Sequence, residues 1–276
     1  MDKVNITTLK KLLTLSDENT LKLATKFLEK YYTNIIKGTE FILAIGDIPI
    51  LLIAHVDTVH ANKPNNIFYD SENKVMWSPD GLGADDRAGI YAIFHLLREG
   101  YRPHVLFTNG EELGGLGALE TVDSLPKPPC EIKYIIELDR AGYDDCVFYN
   151  CANVKFITYI ESFGFNLQRG SFTDISFICP EWKIAGVNLS IGYRNEHSYE
   201  EHLYISNMMD TIRKVKNMLD CADVADTFKY IPAKTKPIFN SGKSNICVNC
   251  GSAYPKFTNI TDYSLCGKCL EKVWMA

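Results

Sequence analysis

The sequence predicts an α/β fold of three layers, a mostly parallel central sheet with helices on both faces, followed by a small C-terminal zinc ribbon. Three observations carry the main part. Apolar strand-like runs alternate with helical periodicity up to about residue 220. One run, Pro49–Ala54, has almost no polar residue, the pattern of a strand buried on both faces. Ionisable residues gather just after the strand-like runs, where open α/β sheets place their sites.

Size and composition bound the rest. The 276 residues suffice for one large domain and a small one. A hydrophobic content of 46% and a charged content of 23% are those of an ordinary soluble protein. The start, Met1-Asp2-Lys3-Val4-Asn5, lacks the apolar core of a signal peptide, and no run is long enough to span a membrane. Nine cysteines, an odd number, without a secretion signal point to the reducing cytoplasm rather than a disulfide framework. The net charge of −5 is uneven: Phe228–Ala276 holds seven Lys against one Asp and one Glu, +5, which leaves −10 for the remainder. A basic tail can meet something anionic, or serve only solubility.

Taken in order, Thr7–Tyr32 carries apolar residues at helical spacing, interrupted by Ser16-Asp17-Glu18-Asn19, so two helices are expected. Phe41–Ile45 is a strand, Gly46-Asp47 a turn, and Pro49–Ala54 the buried strand. It runs into His55-Val56-Asp57, where His55 and Asp57 share a face if the chain stays extended. Asn66–Tyr69 and Lys74–Trp77 suit a short hairpin, and Ile90–Leu97 an apolar helix in which His95 packs. A strand over His104–Thr108 leads to Glu111-Glu112, with a short helix over Leu116–Val122 beyond. Glu131–Asp139 is a strand ending in an acid, Val154–Phe163 a helix, and Ile184–Ile191 a strand leading to Asn195-Glu196-His197-Ser198. An amphipathic helix over Ile205–Leu219 closes the domain. The expected boundaries are a catalytic domain over 1–222, a linker over 223–243 with two prolines and little periodicity, and a zinc-binding module over 244–276.

Alone, Glu111-Glu112 is more readily an exposed turn than a site, but adjacent carboxylates on an extended chain point in different directions and can do different work. Five groups accumulate at predicted strand ends: His55, Asp85, Glu112, Asp139 and His197. Each singly has an ordinary structural reading, yet together carboxylates and imidazoles suit zinc or a similar divalent ion. Two ions a few ångströms apart need a bridging acid and terminal ligands on each side, and the set has that count.

The motifs HVDTVH (55–60), GADDRAG (83–89), NGEELGG (109–115), ELD (137–139) and NEHS (195–198), in this order, resemble those of the co-catalytic di-zinc exopeptidases. That superfamily holds peptidase T-like tripeptidases, the glutamate carboxypeptidase group and bacterial leucine aminopeptidases. The resemblance spans roughly residues 40 to 220. It implies that Asp85 bridges two zinc ions (or cobalt or manganese), that His55 and Asp139 complete one site, and that Glu112 and His197 complete the other. It further implies that Asp57 fixes the tautomer of His55 and that Glu111 is the general base toward a water shared by the ions. Asp86 is then structural, His60 is a spare histidine, and His202 is a lesser alternative to His197. Arg169 and Asp174 are the candidates for substrate binding. Only 57 residues separate Asp139 from His197, so the lid domain that these relatives insert there has no room.

Cys247, Cys250, Cys266 and Cys269 form two CxxC pairs fifteen residues apart, the spacing of one structural zinc. The metal supplies the folding energy that so short a segment lacks. The other five cysteines have no such spacing and read as buried thiols. With its charge and aromatics the module suits nucleic acid, a protein partner, a lid or an oligomer contact. The expected function is hydrolysis of a peptide bond, an aminopeptidase on short peptides. Its rivals are a deacylase of N-acyl amino acids with the same site, and a binding module that uses the ribbon.

Overall fold

A strand that is apolar at every position must lie inside the molecule, and from Ile50 to Ala54 this one is fully buried. The computed structural model describes residues 4–233 and the short strand pair 245–246 and 253–254. In chain order the elements are α1 (Ile6–Leu13), α2 (Asp17–Leu28), β1 (Asn34–Lys37), β2 (Phe41–Ile45), β3 (Ile48–His55), β4 (Phe68–Asp70), β5 (Val75–Trp77) and α3 (Ala84–Arg98). They continue with β6 (Pro103–Thr108), α4 (Leu116–Ser124), β7 (Tyr134–Arg140), β8 (Asp145–Val147), α5 (Val154–Glu161), β9 (Asn166–Leu167), α6 (Ile175–Trp182) and β10 (Gly186–Ser190). The last are β11 (Tyr193–Arg194), β12 (His202–Tyr204), α7 (Ile205–Asp220) and the pair β13 (Asn245–Ile246) and β14 (Ala253–Tyr254).

The main sheet has eight strands in the order β1-β2-β6-β3-β7-β10-β8-β9. Its centre, β6-β3-β7-β10, is parallel throughout, while β1, β2 and β8 run antiparallel to their inner neighbours. Alternation along β3 serves two cores. Ile50, Leu52 and Ala54 face the layer that holds α1, α2, α3, α5 and α7. Leu51 and Ile53 face the layer of α4 and α6. This is the three-layer α/β arrangement that the sequence predicts.

Local chemistry sets the helix ends. Asn5, Ser16 and Asn153 each accept a backbone N–H of their own first turn, the role their short polar side chains suit. Asp17 and Glu18 lie where the helix dipole favours negative charge.

Topology places the site. From β3 the chain crosses to β6 on one side, and from β7 it continues to β10 on the other. The crevice at the carboxyl ends of β3 and β7 is therefore a switch point of strand order. A second, four-stranded sheet, β11-β12-β5-β4, stands beside it and carries the loop between β11 and β12.

The chain divides into compact units at 1–233 and 234–276. Residues 223–233, expected as the start of a linker, instead pack on the first unit. Phe228 is buried, its N–H reaches Lys133 O and its carbonyl accepts from Ala185 N, and Ile184 and Cys151 bridge to Lys229 and Pro232. An aromatic that closes the ends of β7 and β10 leaves no periodic signal in so short a segment. The four CxxC cysteines and the rest of the expected linker lie outside the described residues.

Candidate metal centre

Each candidate side chain reaches the crevice by a different route. His55 ends β3, and Asp139 lies one residue before the end of β7. Asp85 comes instead from the first turn of α3, where Asp85 and Asp86 have non-helical backbone angles and are joined by a cis peptide. Glu111 and Glu112 lie in a turn, closed by bonds from Gly114 N and Gly115 N to Glu111 O, and not on an extended strand. The turn therefore presents both carboxylates toward His55, in place of the strand alternation expected. His197 is on the β11–β12 loop at a positive φ of 60°, so three of the five supposed strand-end groups, Asp85, Glu112 and His197, come from other elements.

The geometry divides around Asp85. Its Oδ1 is 3.1 Å from His55 Nε2, and its Oδ2 is 3.1 Å from His197 Nε2. His55 Nε2 is also 3.3 Å from Asp139 Oδ1, and His197 Nε2 is 3.0 Å from Glu112 Oε1. Two trios result, His55–Asp85–Asp139 and Asp85–Glu112–His197, each with ligand atoms within 4.8 Å of one another. Ligands about 2.1 Å from a tetrahedral zinc lie about 3.4 Å apart, close to these spacings. Glu111 belongs to neither trio but joins His55 and Glu112 in a third group.

Electrostatics give the same answer. Nine carboxylates crowd this end of the sheet: Asp57, Asp85, Asp86, Glu111, Glu112, Glu137, Asp139, Asp174 and Glu201. Burial, against the pull of His55, pushes Glu111 up to about 10 and Asp139 up to about 7. Burial also raises Asp86 and Glu137 well above the carboxylate range. Asp85 goes the other way: burial opposes its charge, but His197 and His55 outweigh it and hold the carboxyl well below the usual range. Hydrogen bonds to Asp85 and Glu112 push His197 up to about 11. Such a set demands positive charge, and metal ligation releases the protons that would otherwise supply it. Oxygen and imidazole donors at these spacings fit a pair of divalent cations.

The supporting residues are ordered as a ligand set requires. Asp57 lies 3.3 Å from His55 Nδ1 and also accepts the N–H groups of Glu111 (3.2 Å) and Glu112 (3.1 Å). One carboxylate thus orients an imidazole and shapes the turn that presents the Glu pair. Asp86 accepts His55 N and Gly89 N beneath the site. Asp139 accepts Thr173 Oγ1 and Tyr193 Oη, each at 3.0 Å, and Asn188 grips its backbone N–H and carbonyl.

Other expectations fare differently. Asp174 is fully buried and accepts the Thr108 hydroxyl, so it has no surface for a substrate. Arg169 is exposed and belongs to none of the three groups. His202 contacts Glu200 O through Nδ1 and is likewise outside the groups, whereas His60 meets Glu201 at 3.2 Å. Sequence reasoning missed Glu201, Tyr193 and Asn188. Only Asn188 left a signal, as a polar residue inside an apolar strand.

No family model and no curated protein matches the chain. Solved structures do. The fold is similar to that of aminopeptidase PepT from Bacillus cereus, with a TM-score of 0.62 at 14% identity over 79% of this chain and 98% of that one. A tripeptidase from Staphylococcus aureus gives 0.62 at 13% identity over 79% and 97%. The TET1 peptidase of Pyrococcus horikoshii, which assembles into a tetrahedron or an octahedral shell, gives 0.55 at 14% over 78% and 98%. At these identities the likeness is one of fold, over close to four fifths of the chain.

Proposed function

We infer that the chain hydrolyses peptide or peptide-like amide bonds with two divalent cations, as an aminopeptidase on short peptides. The observation that carries this reading is the division of Asp85, one oxygen toward each imidazole. The fold likeness to peptidases supports it. His55, Asp85 and Asp139 would hold one cation, and Asp85, Glu112 and His197 the other. Such cations, zinc, cobalt or manganese, lower the pKa of a shared water and polarise the scissile carbonyl.

The chain's own residues do the rest. Glu111 stands beside both trios without joining either, so its carboxylate is free to take the proton of the attacking water and release it to the leaving amine. Its raised affinity for a proton suits that work, and neighbouring cations would draw it down toward neutrality. Asp57 keeps His55 in the tautomer whose Nε2 lone pair faces the cation. In the same reading Cys247, Cys250, Cys266 and Cys269 hold a separate structural zinc.

Glu111→Gln is expected to lower kcat by about 10²–10⁴-fold while the metal content stays unchanged. Near-normal turnover would remove Glu111 as the base. Elemental analysis should find three metals per chain, two of them lost in Asp85→Ala. Aminoacyl anilides should be cleaved and N-acyl amino acids spared; the opposite preference would replace the aminopeptidase by a deacylase.

A further inference from the structure

The carboxylate of Glu201 has no part in either trio, yet it is 1% exposed and spends both oxygens on the segment that presents Asp85. Oε1 accepts Asp85 N at 2.9 Å, and Oε2 accepts Gly83 N at 2.6 Å. His60 Nε2 stands 3.2 Å from Oε2. These partners lie 116, 118 and 141 residues away in sequence. Glu201 itself is four residues after His197, on the same β11–β12 loop. One buried carboxyl group therefore joins the backbone of Asp85 to the loop that carries His197.

A helix cap is the ordinary explanation for such a carboxylate. Here it is incomplete. The N–H groups that Glu201 accepts lie at the irregular entry to α3, where Gly83 has a φ of 66° and Asp85 and Asp86 depart from helical angles. Regular helix bonding does not define this segment, so external contacts must. His60 packs over Gly81 so closely that a Cβ there would lie 2.4 Å from its ring, and Thr58 backs Gly83. Glu201 is the only side chain among the described residues with hydrogen bonds to both Gly83 N and Asp85 N.

We propose that Glu201 is a positioning residue that fixes the direction of Asp85 and couples it to the His197 loop, so that the cation shared by Asp85, Glu112 and His197 is bound by one rigid unit. The proposal rests on the reading that two cations share Asp85. A glutamine at 201 keeps the size but turns one acceptor into a donor, which must then face a backbone N–H. Leaving a buried donor without an acceptor distorts the segment and with it the aim of Asp85.

The test is a cobalt titration of the metal-free full-length chain, read by d–d absorption, with thiolate charge-transfer bands reporting any cysteine-bound ion separately. Glu201→Gln should weaken binding of the second non-thiolate ion about 10–100-fold, the usual loss when the hydrogen-bond partner of a ligand is removed. His60→Phe, which keeps the ring over Gly81 but removes the contact to Oε2, should weaken it by a smaller factor in the same direction. Melting of the metal-free proteins separates the roles. A mere cap would lower that melting point and leave cobalt affinity at the wild-type value, which overturns the proposal. If Glu201→Gln does not fold, His60→Phe decides: weaker cobalt binding supports the proposal and unchanged binding overturns it. A wild-type chain that takes up fewer than two non-thiolate ions would overturn the two-cation reading itself, a result distinct from a wild-type pair unaffected by either variant.

Discussion

Asp139 shows how much of a site resides in residues that never touch the chemistry. Two hydroxyls, from Thr173 and Tyr193, donate to its two oxygens, and Asn188 holds its backbone. Each oxygen keeps a lone pair, but its direction is set. Tyr193→Phe removes one donor from a fully buried position and should cost about 1 kcal/mol of stability. It should also weaken the ion proposed for His55, Asp85 and Asp139 by about tenfold. Thr173→Val should act alike, and metal titration beside thermal melting checks both. The pair His55-x-Asp57 was legible from its two-residue spacing, although β3 ends at His55 and Asp57 meets the imidazole from just beyond it. Tyr193 and Glu201 were not, because each is defined by a partner tens of residues away or more. Glu200 and Glu201 differ only in what the fold does with them: the first is exposed, the second buried.

Among elements, legibility mostly follows length, the three-residue hairpin strands β4 and β5 being the exception. β3, β6, β7, β10, α3 and α7 are long enough to show a period, and all were expected within a few residues or, for the start of α3, about two turns. β1, β8, β9, β11 and β12 span two to four residues and exist through tertiary pairing, so no local pattern announces them. Pro180 inside α6 hid that helix. β6 also carries a titratable group away from the metal centre. His104 is buried, its Nδ1 accepts Gly46 N at 3.1 Å and its Nε2 donates to Glu131 O at 2.9 Å, which is the neutral tautomer. Burial lowers its pKa below 6.5. The unfolded chain then binds this proton first, so the stability that His104 contributes is full above pH 6.5 and is lost as pH falls below it. His104→Gln should flatten the fall in urea midpoint between pH 7 and 5 relative to wild type. Equal slopes would mean that the imidazole does not stay neutral in the fold.

At the scale of the molecule, the acidic body and the crowded strand ends are one problem. Residues 1–233 contain all nine site carboxylates and both imidazoles, and they form a compact unit with its own two-sided core. The compact unit ends about ten residues later than composition implied, because Phe228 reads as linker until its burial is seen. A folded state that gathers so many carboxylates in one crevice is opposed by their mutual repulsion, and divalent cations bound only by that state must stabilise it. Cations at a hundred times their dissociation constant contribute about 2.7 kcal/mol per site. For a domain of this size 1 kcal/mol moves the melting point by about 2–4 °C. Chelation should therefore lower it by about 5–10 °C for one tightly held ion and by more for two. A chain ended after Ala233 provides the strict form of the experiment, since it removes every CxxC thiolate. That chain is expected to fold, to take up two cobalt ions rather than three, and to lose the same number of degrees on chelation as the full-length protein. A truncated chain whose melting point ignores chelator would place the stabilising metal in the last 43 residues and leave the strand-end carboxylates to be neutralised by protons alone.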